Sequence, residues 1–328
     1  MNRLLVTGGA GYIGRHLVNA LGKKGYELLT YDNLISGDAS SVLWGELVRG
    51  DLLDAGMLER VMAEFLPDCV IHLASFSVVP ESVKRPLHYY TNNVQGTLTL
   101  FSSMKKIGVK RLIFSSSAAV YGEPEKVPVK ETAPLKPANP YGKAKAMVEQ
   151  VLEDLAVSGD MDYISLRYFN VAGANLEGKL GEERENATHL ITRCVRAALG
   201  KIEGVSIYGT DYPTEDGTCI RDYIHVEDLV DVHVIALDYL KSRGGFPGEV
   251  FNCGYGRGYS VKEVVEMVKR VTGEDFLVRY QGRRPGDAPV MVADSTKIRG
   301  KLGWEPRCDS LEQIVSSAWQ WEKKRMGF

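Results

Sequence analysis

Leu4-Leu5-Val6-Thr7-Gly8-Gly9-Ala10-Gly11-Tyr12-Ile13-Gly14 is the stretch whose reading decides the fold. Its first four residues read as a buried strand, and the glycines follow at once. Ile13, Leu17, Ala20 and Leu21 then recur at helical spacing until Gly25 ends the segment. Strand, glycine turn and helix in direct succession is the context such a motif requires. Glycines at 8, 11 and 14 let backbone N–H groups approach a pyrophosphate at a helix N-terminus, where the helix dipole favours negative charge. The spacing is Gly-x-x-Gly-x-x-Gly rather than Gly-x-Gly-x-x-Gly.

Downstream, a second strand, Glu27-Leu28-Leu29-Thr30-Tyr31, ends at Asp32-Asn33. An acid there suits adenosine ribose hydroxyls and repels a 2′-phosphate, so NAD is favoured over NADP. Asp51, before a helix carrying Met57, Leu58, Val61, Met62 and Phe65, suits either an adenine amino group or a helix cap. Asp68–Ala74 reads as a central parallel strand, with His72 a satisfied core histidine. A long helix around Asn92 places Val94, Leu98, Phe101 and Met104 on one face, and Asn92 suits either the cofactor or a structural amide. Lys110–Phe114 is a further strand, ending in Ser115-Ser116-Ser117 at the ligand edge of such a sheet. Alternating strands and helices predict a doubly wound α/β fold.

Asn139-Pro140-Tyr141-Gly142-Lys143-Ala144-Lys145 opens another helix, with Asn139 as cap and Pro140 in the first turn. Tyr141 and Lys145 stand at i and i+4 and share a face. A free tyrosine titrates at about 10, and a nearby cation favours the phenolate. The pair can therefore serve as an acid/base near neutral pH.

Length and composition set the frame. The 328 residues suit one large or two modest domains, and 44% hydrophobic with 25% charged residues is ordinary for a globular protein. A net charge of −2 argues against nucleic acid or membrane partners. Five scattered cysteines without Cys-x-x-Cys suggest neither a disulfide framework nor a metal site. No signal-peptide core and no apolar run of membrane-spanning length are visible, so the cytoplasm is expected.

The glycine motif, Asp32, Asn92, the serine strand end and Tyr141-x-x-x-Lys145 together resemble the extended short-chain dehydrogenase/reductase family. Tyr212–Thr218, Arg221–Val226, Arg167-Tyr168-Phe169-Asn170 and Arg284-x-Gly286-Asp287 resemble the signature of its UDP-glucose 4-epimerase branch. The resemblance implies a Rossmann-type doubly wound sheet over residues 1–167. A smaller mixed α/β substrate domain would occupy residues 168–328, with segments such as the helix from Val226 to Leu240 returning to the first. It implies NAD as cofactor, UDP-galactose and UDP-glucose as substrates, and a homodimer pairing through helices near Asn92–Lys105 and Tyr141–Leu155.

The residue roles follow from the same resemblance. Tyr141 is the acid/base at the sugar C4 hydroxyl. Lys145 holds the nicotinamide ribose and lowers the Tyr141 pKa, and Ser117 hydrogen-bonds the hydroxyl. Gly8, Gly11, Tyr12, Ile13, Gly14, Asp32, Asn33, Ser36, Gly37, Asp51, Leu52, Leu73, Ala74, Asn92 and Phe169 join Tyr141 and Lys145 along the dinucleotide. Asn170, Asn186, Arg221 and Arg284 hold the UDP-sugar, with Asp287 at the uridine ribose. Planar guanidinium forks suit a diphosphate, whereas a bare surface arginine would simply pair with a neighbour, as Arg221 could with Asp222. Related 4,6-dehydratases carry an Asp-Glu pair just after the serine position, where this chain has Ala118-Ala119.

Overall fold

The computed structural model describes residues 1–242 and 248–327. The sequence also suggests turns at Gly244-Gly245 and Pro247-Gly248, of which Gly244, Gly245 and Pro247 lie outside the described residues. The strands are β1 (Arg3–Thr7), β2 (Glu27–Asp32), β3 (Glu46–Arg49), β4 (Cys69–His72), β5 (Arg111–Ser117), β6 (Asp162–Tyr168), β7 (Asn170–Ala172), β8 (Gly204–Tyr208), β9 (Ile220–His225), β10 (Glu249–Cys253), β11 (Gly258–Ser260), β12 (Leu277–Gln281) and β13 (Val290–Met291).

Seven of them form one sheet in the order β10-β6-β5-β4-β1-β2-β3. β1 pairs in parallel with both β2 and β4, β2 with β3, and β4 with β5. The chain winds one way from β1 to β3 and the other way from β4 onward. The C-terminal ends of β1 and β4 are therefore the topological switch point, where such sheets take their ligands. Apolar strands suit this arrangement because helices cover both faces. On one face Leu58, Met62, Leu100, Met104, Val148 and Leu152 are buried in a cluster with Leu5, Val70 and Leu112 of the sheet. Each such side chain stabilises the fold by about 1.5–3 kcal/mol on burial.

The first compact unit consists of Met1–Val120, Pro137–Arg167 and Val230–Phe251. The second consists of Tyr121–Lys136, Tyr168–Leu229 and Asn252–Phe328. Most of the helix Val226–Ser242 thus lies with the first unit. The segment Tyr121–Lys136 lies with the second because Val129 pairs with the strand end at Val292 and Ala293. The Val129 N–H donates to the Val292 carbonyl at 2.8 Å, and the Val129 carbonyl accepts from Asp294 and from Asn252 Nδ2. In this unit β11, β9 and β13 form a sheet that β7 joins through β9, and β8 pairs with β12. The helix Val261–Thr272 starts with the expected capping box, Ser260 and Glu263 each satisfying the other's backbone N–H.

One helix departs from its expected pattern. Thr91–Gln95 forms a π-helical turn before the helix Gly96–Ile107. Within the helix Gly96–Ile107, Thr97, Leu100, Phe101 and Met104 are buried while Leu98, at the edge of that stripe, is 39% exposed.

Candidate active site

The glycine turn closes directly on the switch point. Gly8 has φ +74, and a Cβ there would lie 2.5 Å from the Ala74 nitrogen. A Cβ at Gly14 would lie 2.3 Å from the Gly8 carbonyl oxygen and 2.6 Å from the Gly9 Cα. These two glycines are demanded by the turn's own packing. Gly11 is different: its φ is −73, and an added Cβ would meet only the Gly8 carbonyl, at 3.3 Å. The protein leaves room at Gly11, which is the cradle that a phosphate approaching backbone N–H groups requires. Arg15, buried behind the turn, donates to the carbonyls of Ala10 and Gly11.

The remaining sequence-predicted residues of the first unit gather around this turn. Asp32 accepts from the Ala10 and Leu34 backbone N–H groups, so its carboxylate is tied to the glycine loop while each oxygen keeps a further lone pair. Gly37 lies against Ala10, where a Cβ would come within 2.7 Å, with exposed Ser36 beside it. Leu73 donates from its backbone to the Thr7 carbonyl, which brings Leu73 and Ala74 to the turn. Asp51 accepts from Asn33 Nδ2 and from the Leu53 N–H. It is not the cap of the next helix; Asp54 is, accepting from the Met57 N–H, because only Asp54 stands one residue before Ala55. Leu52 is buried beneath this loop, and Tyr12 and Ile13 are half-buried in the first turn of their helix. Those donors, the Gly11 cradle and the Asp32 carboxylate fit NAD.

Asn92 sits half-buried in the π turn and donates from Nδ2 to the side-chain Oδ1 of Asn93. Asn93 is the structural amide, buried and bonded both ways to the Phe76 backbone. His72 is the core histidine expected. Thr97 gives its hydroxyl proton to the Asn93 carbonyl, so the His72 Nε2–H must donate to Thr97. Nδ1 then accepts from Thr7, 2.6 Å away. Burial, with Lys145 nearby, holds this imidazole down to about 3, so it stays neutral.

Tyr141 and Lys145 lie on the helix Pro140–Val157, which Asn139 caps through the Gly142 N–H and Pro140 opens. Ser117, at the end of β5, accepts from the Ala119 N–H at 3.2 Å and acts on the Tyr141 phenol as the influence that favours its ionised form. Lys145 is 3% exposed, donates to the Ser115 carbonyl at 2.6 Å and lies 4.8 Å over the Phe114 ring. Its Nζ stands 6.0 Å from the centre of the Tyr141 ring. The expectation that Lys145 holds the Tyr141 phenol low is corrected here. Burial pushes the phenol up, and Ser117 is the group that pulls it back. Lys145 itself is pushed down to about 7 by burial, opposed by the charge of Glu149.

In the second unit, Arg221, Arg284 and Asp287 come together. Asp287 lies 2.9 Å from Arg284 Nε and 3.7 Å from Arg221 Nη2. Arg221 also donates to the Ile220 and Ala288 carbonyls and does not pair with Asp222. Asp222 is fully buried and accepts from the Tyr255, Gly256 and Ala293 N–H groups; burial raises its carboxyl to about 6. Phe169 is buried, Asn170 exposed on β7, and Asn186 exposed in a loop. Three features escaped the sequence reading. The Arg284 guanidinium lies 4.7 Å over the ring of Tyr208. His189 Nδ1 donates to buried Glu182 at 3.0 Å. Glu149 forms a buried pair with Arg167.

Among the described residues no helix is long and apolar enough to cross a membrane, and no group of three or more His, Cys, Asp or Glu could hold a metal. All five cysteines are free and buried.

Known proteins resemble this chain along nearly its whole length. The UDP-glucose 4-epimerase of Azospirillum brasilense is 49% identical over 98% of this chain and 92% of its own. The crystal structure of UDP-glucose 4-epimerase from Brucella ovis in complex with NAD matches with a TM-score of 0.93 at 44% identity, covering 97% of this chain and 98% of that one. The Bifidobacterium longum UDP-glucose 4-epimerase in complex with NAD+ and UDP matches with a TM-score of 0.94 at 38% identity, covering 99% and 100%. The model of the NAD dependent epimerase/dehydratase family matches residues 4–254, and with these relatives it shows that the chain belongs to that family.

Proposed function

We propose that this chain inverts C4 of a UDP-hexose, interconverting UDP-galactose and UDP-glucose, with NAD as its cofactor. The observation that carries the reading is Tyr141 with buried Lys145 6.0 Å from its ring centre, the Lys145 ammonium held on the Ser115 carbonyl of the strand that ends at Ser117, at the ligand edge of the sheet that the glycine turn also occupies. NAD, when bound, supplies the reversible hydride acceptor that C4 inversion needs. Tyr141 takes the C4 hydroxyl proton and later returns it, and Ser117 holds the same oxygen. A 4-keto sugar results, so the hexose must turn over while its nucleotide stays put. That asks for a firm grip on the diphosphate and a loose one on the sugar.

In this reading the first unit is the NAD-binding body. Gly8, Gly11, Tyr12, Ile13 and Gly14 face the pyrophosphate. Asp32, Asn33, Ser36, Gly37, Asp51 and Leu52 take the adenosine half, and Leu73, Ala74, Asn92, Lys145 and Phe169 the nicotinamide half. Arg221 and Arg284 take the diphosphate, Asp287 the uridine ribose, and Asn170 and Asn186 the sugar. Exposed Leu98 and Met147, on the two helices expected to pair, support a homodimer. The cytoplasm is the proposed compartment.

Purified protein mixed with UDP-galactose tests the reading. UDP-glucose as product supports it; a 4-keto-6-deoxy product points to a dehydratase, and no turnover to an NAD-responsive binding protein. Arg284→Ala should raise KM for UDP-galactose by about tenfold or more while kcat moves far less, the pattern of lost uniform binding. An unchanged KM would remove Arg284 from the diphosphate.

A further inference from the structure

Glu149 is placed oddly for an ordinary helix glutamate. It is 2% exposed, one turn after Lys145 and two turns after Tyr141 on the same helix. Oε1 accepts from Ser165 Oγ at 2.9 Å and from Arg167 Nε at 3.1 Å, and Oε2 accepts from Arg167 Nη2 at 2.6 Å. Ser165 and Arg167 stand two apart on β6, so one face of that strand presents both donors. Ser165 is 0% and Arg167 4% exposed. A buried ion pair is expensive to assemble and contributes little net stability over an apolar pair of the same volume. Its position next to Lys145 gives it a use that stability does not.

We propose that Glu149 is a positioning residue of this site, acting through Lys145: clamped by Arg167 and Ser165, it fixes the helix turn that carries Lys145 and sets the electric field at its ammonium. The proposal rests on the epimerase reading only for the step in which Lys145 works. Glu149 is the influence that opposes the burial of Lys145. The other groups near Lys145 do not replace it. On its own helix Tyr141 is neutral. From β4, His72 is neutral, and from β5 come the Ser115 carbonyl and the Phe114 ring. From the helices packed alongside, Val79–Lys84 and Pro86–Tyr90, Glu81 pairs with Arg85, and the Tyr89 hydroxyl bonds Glu81 and the Val78 carbonyl.

The sign follows. Removing the carboxylate charge leaves the Lys145 ammonium less favoured, so it loses its proton at lower pH. The probe is whole protein carrying 13Cε-labelled lysine, with the Lys145 resonance identified by its loss in Lys145→Met. In Glu149→Gln the titration of that resonance should move down by about one pH unit. The alkaline limb of kcat should move with it, while KM for UDP-galactose stays within about twofold. Glu149→Asp, which keeps the charge, should restore the titration midpoint. If Glu149→Gln does not fold, the double variant Glu149→Gln with Arg167→Met removes the pair as a unit, a change buried pairs tolerate; a downward move reduced by the loss of the Arg167 cation is expected. An unmoved resonance in whichever variant folds overturns the proposal, as does a uniform loss of rate at every pH. A native chain inactive on UDP-galactose whose Lys145 resonance nonetheless moves would overturn the epimerase reading and leave the field at Lys145 standing.

Discussion

Tyr141→Phe should cut kcat for UDP-galactose by about 10²- to 10⁴-fold, the usual range for loss of a general acid/base. It should leave fold and NAD binding intact. Two features make the substitution a clean one. The ring stays, so the packing of the half-buried phenol is preserved. Ser117, the neighbour that acts on the phenol, accepts from the Ala119 N–H at 3.2 Å and so is not stranded. The loss should fall on kcat, because the proton moves only in the transition state. Ser117→Ala should lower kcat too but by less, since it removes an influence on the acid/base rather than the acid/base itself. The checks are UDP-glucose formation by coupled assay and NAD binding by calorimetry on the same preparations. A near-normal rate in Tyr141→Phe would strip Tyr141 of its role; a lost rate together with lost NAD binding would mean the helix had shifted.

What the sequence reveals and what it hides divides along physical lines. Local rules carried far. A strand, a glycine turn and a helix are contiguous, so the first forty residues could be read directly. Asn139 and Pro140 mark a helix start, and Ser260 with Glu263 marks another, because caps depend on residues one to three apart. His72 was legible as core because a histidine inside Cys69–His72 has little choice. The π turn at Thr91–Gln95 was not, since a 3.6-residue period assumes an unbroken helix; Leu98, at the rim of the buried stripe, was grouped with it because a period alone does not say where the buried face ends. The pairing of Val129 with Val292 and Ala293 joins residues far apart in the chain, and no spacing announces it. Lys145 was expected to serve Tyr141 electrostatically. Its burial against Phe114 and the Ser115 carbonyl, which sets its proton affinity, is a tertiary fact. Glu149 and Arg167 look like surface charges until β6 is laid beside the helix.

The second large effect separates glycines that the fold needs from the one a ligand needs. Gly14→Ala drives a Cβ to 2.3 Å from the Gly8 oxygen and 2.8 Å from the Gly9 carbonyl carbon, all backbone atoms that cannot step aside without opening the turn. It should cost at least the about 1–3 kcal/mol of an overpacked site, and NAD binding should vanish with the turn. Gly11→Ala should do the opposite to stability. With φ at −73 and a single neighbour, alanine needs the Gly8 carbonyl oxygen at 3.3 Å to give by only a few tenths of an ångström, and the cost in stability should stay under about 1 kcal/mol. If Gly11 faces the pyrophosphate as proposed, its methyl group obstructs that approach, and NAD affinity should drop by about tenfold or more, equal to about 1.4 kcal/mol. Denaturant unfolding of the NAD-free protein measures the first quantity and titration calorimetry with NAD the second. Gly11→Ala binding NAD as the native chain does would show that the Gly11 cradle is empty space rather than a phosphate seat. Gly11→Ala unfolding as readily as Gly14→Ala would show that the turn needs all three glycines for itself. Only a stable protein with weakened NAD binding fits a glycine kept for its ligand.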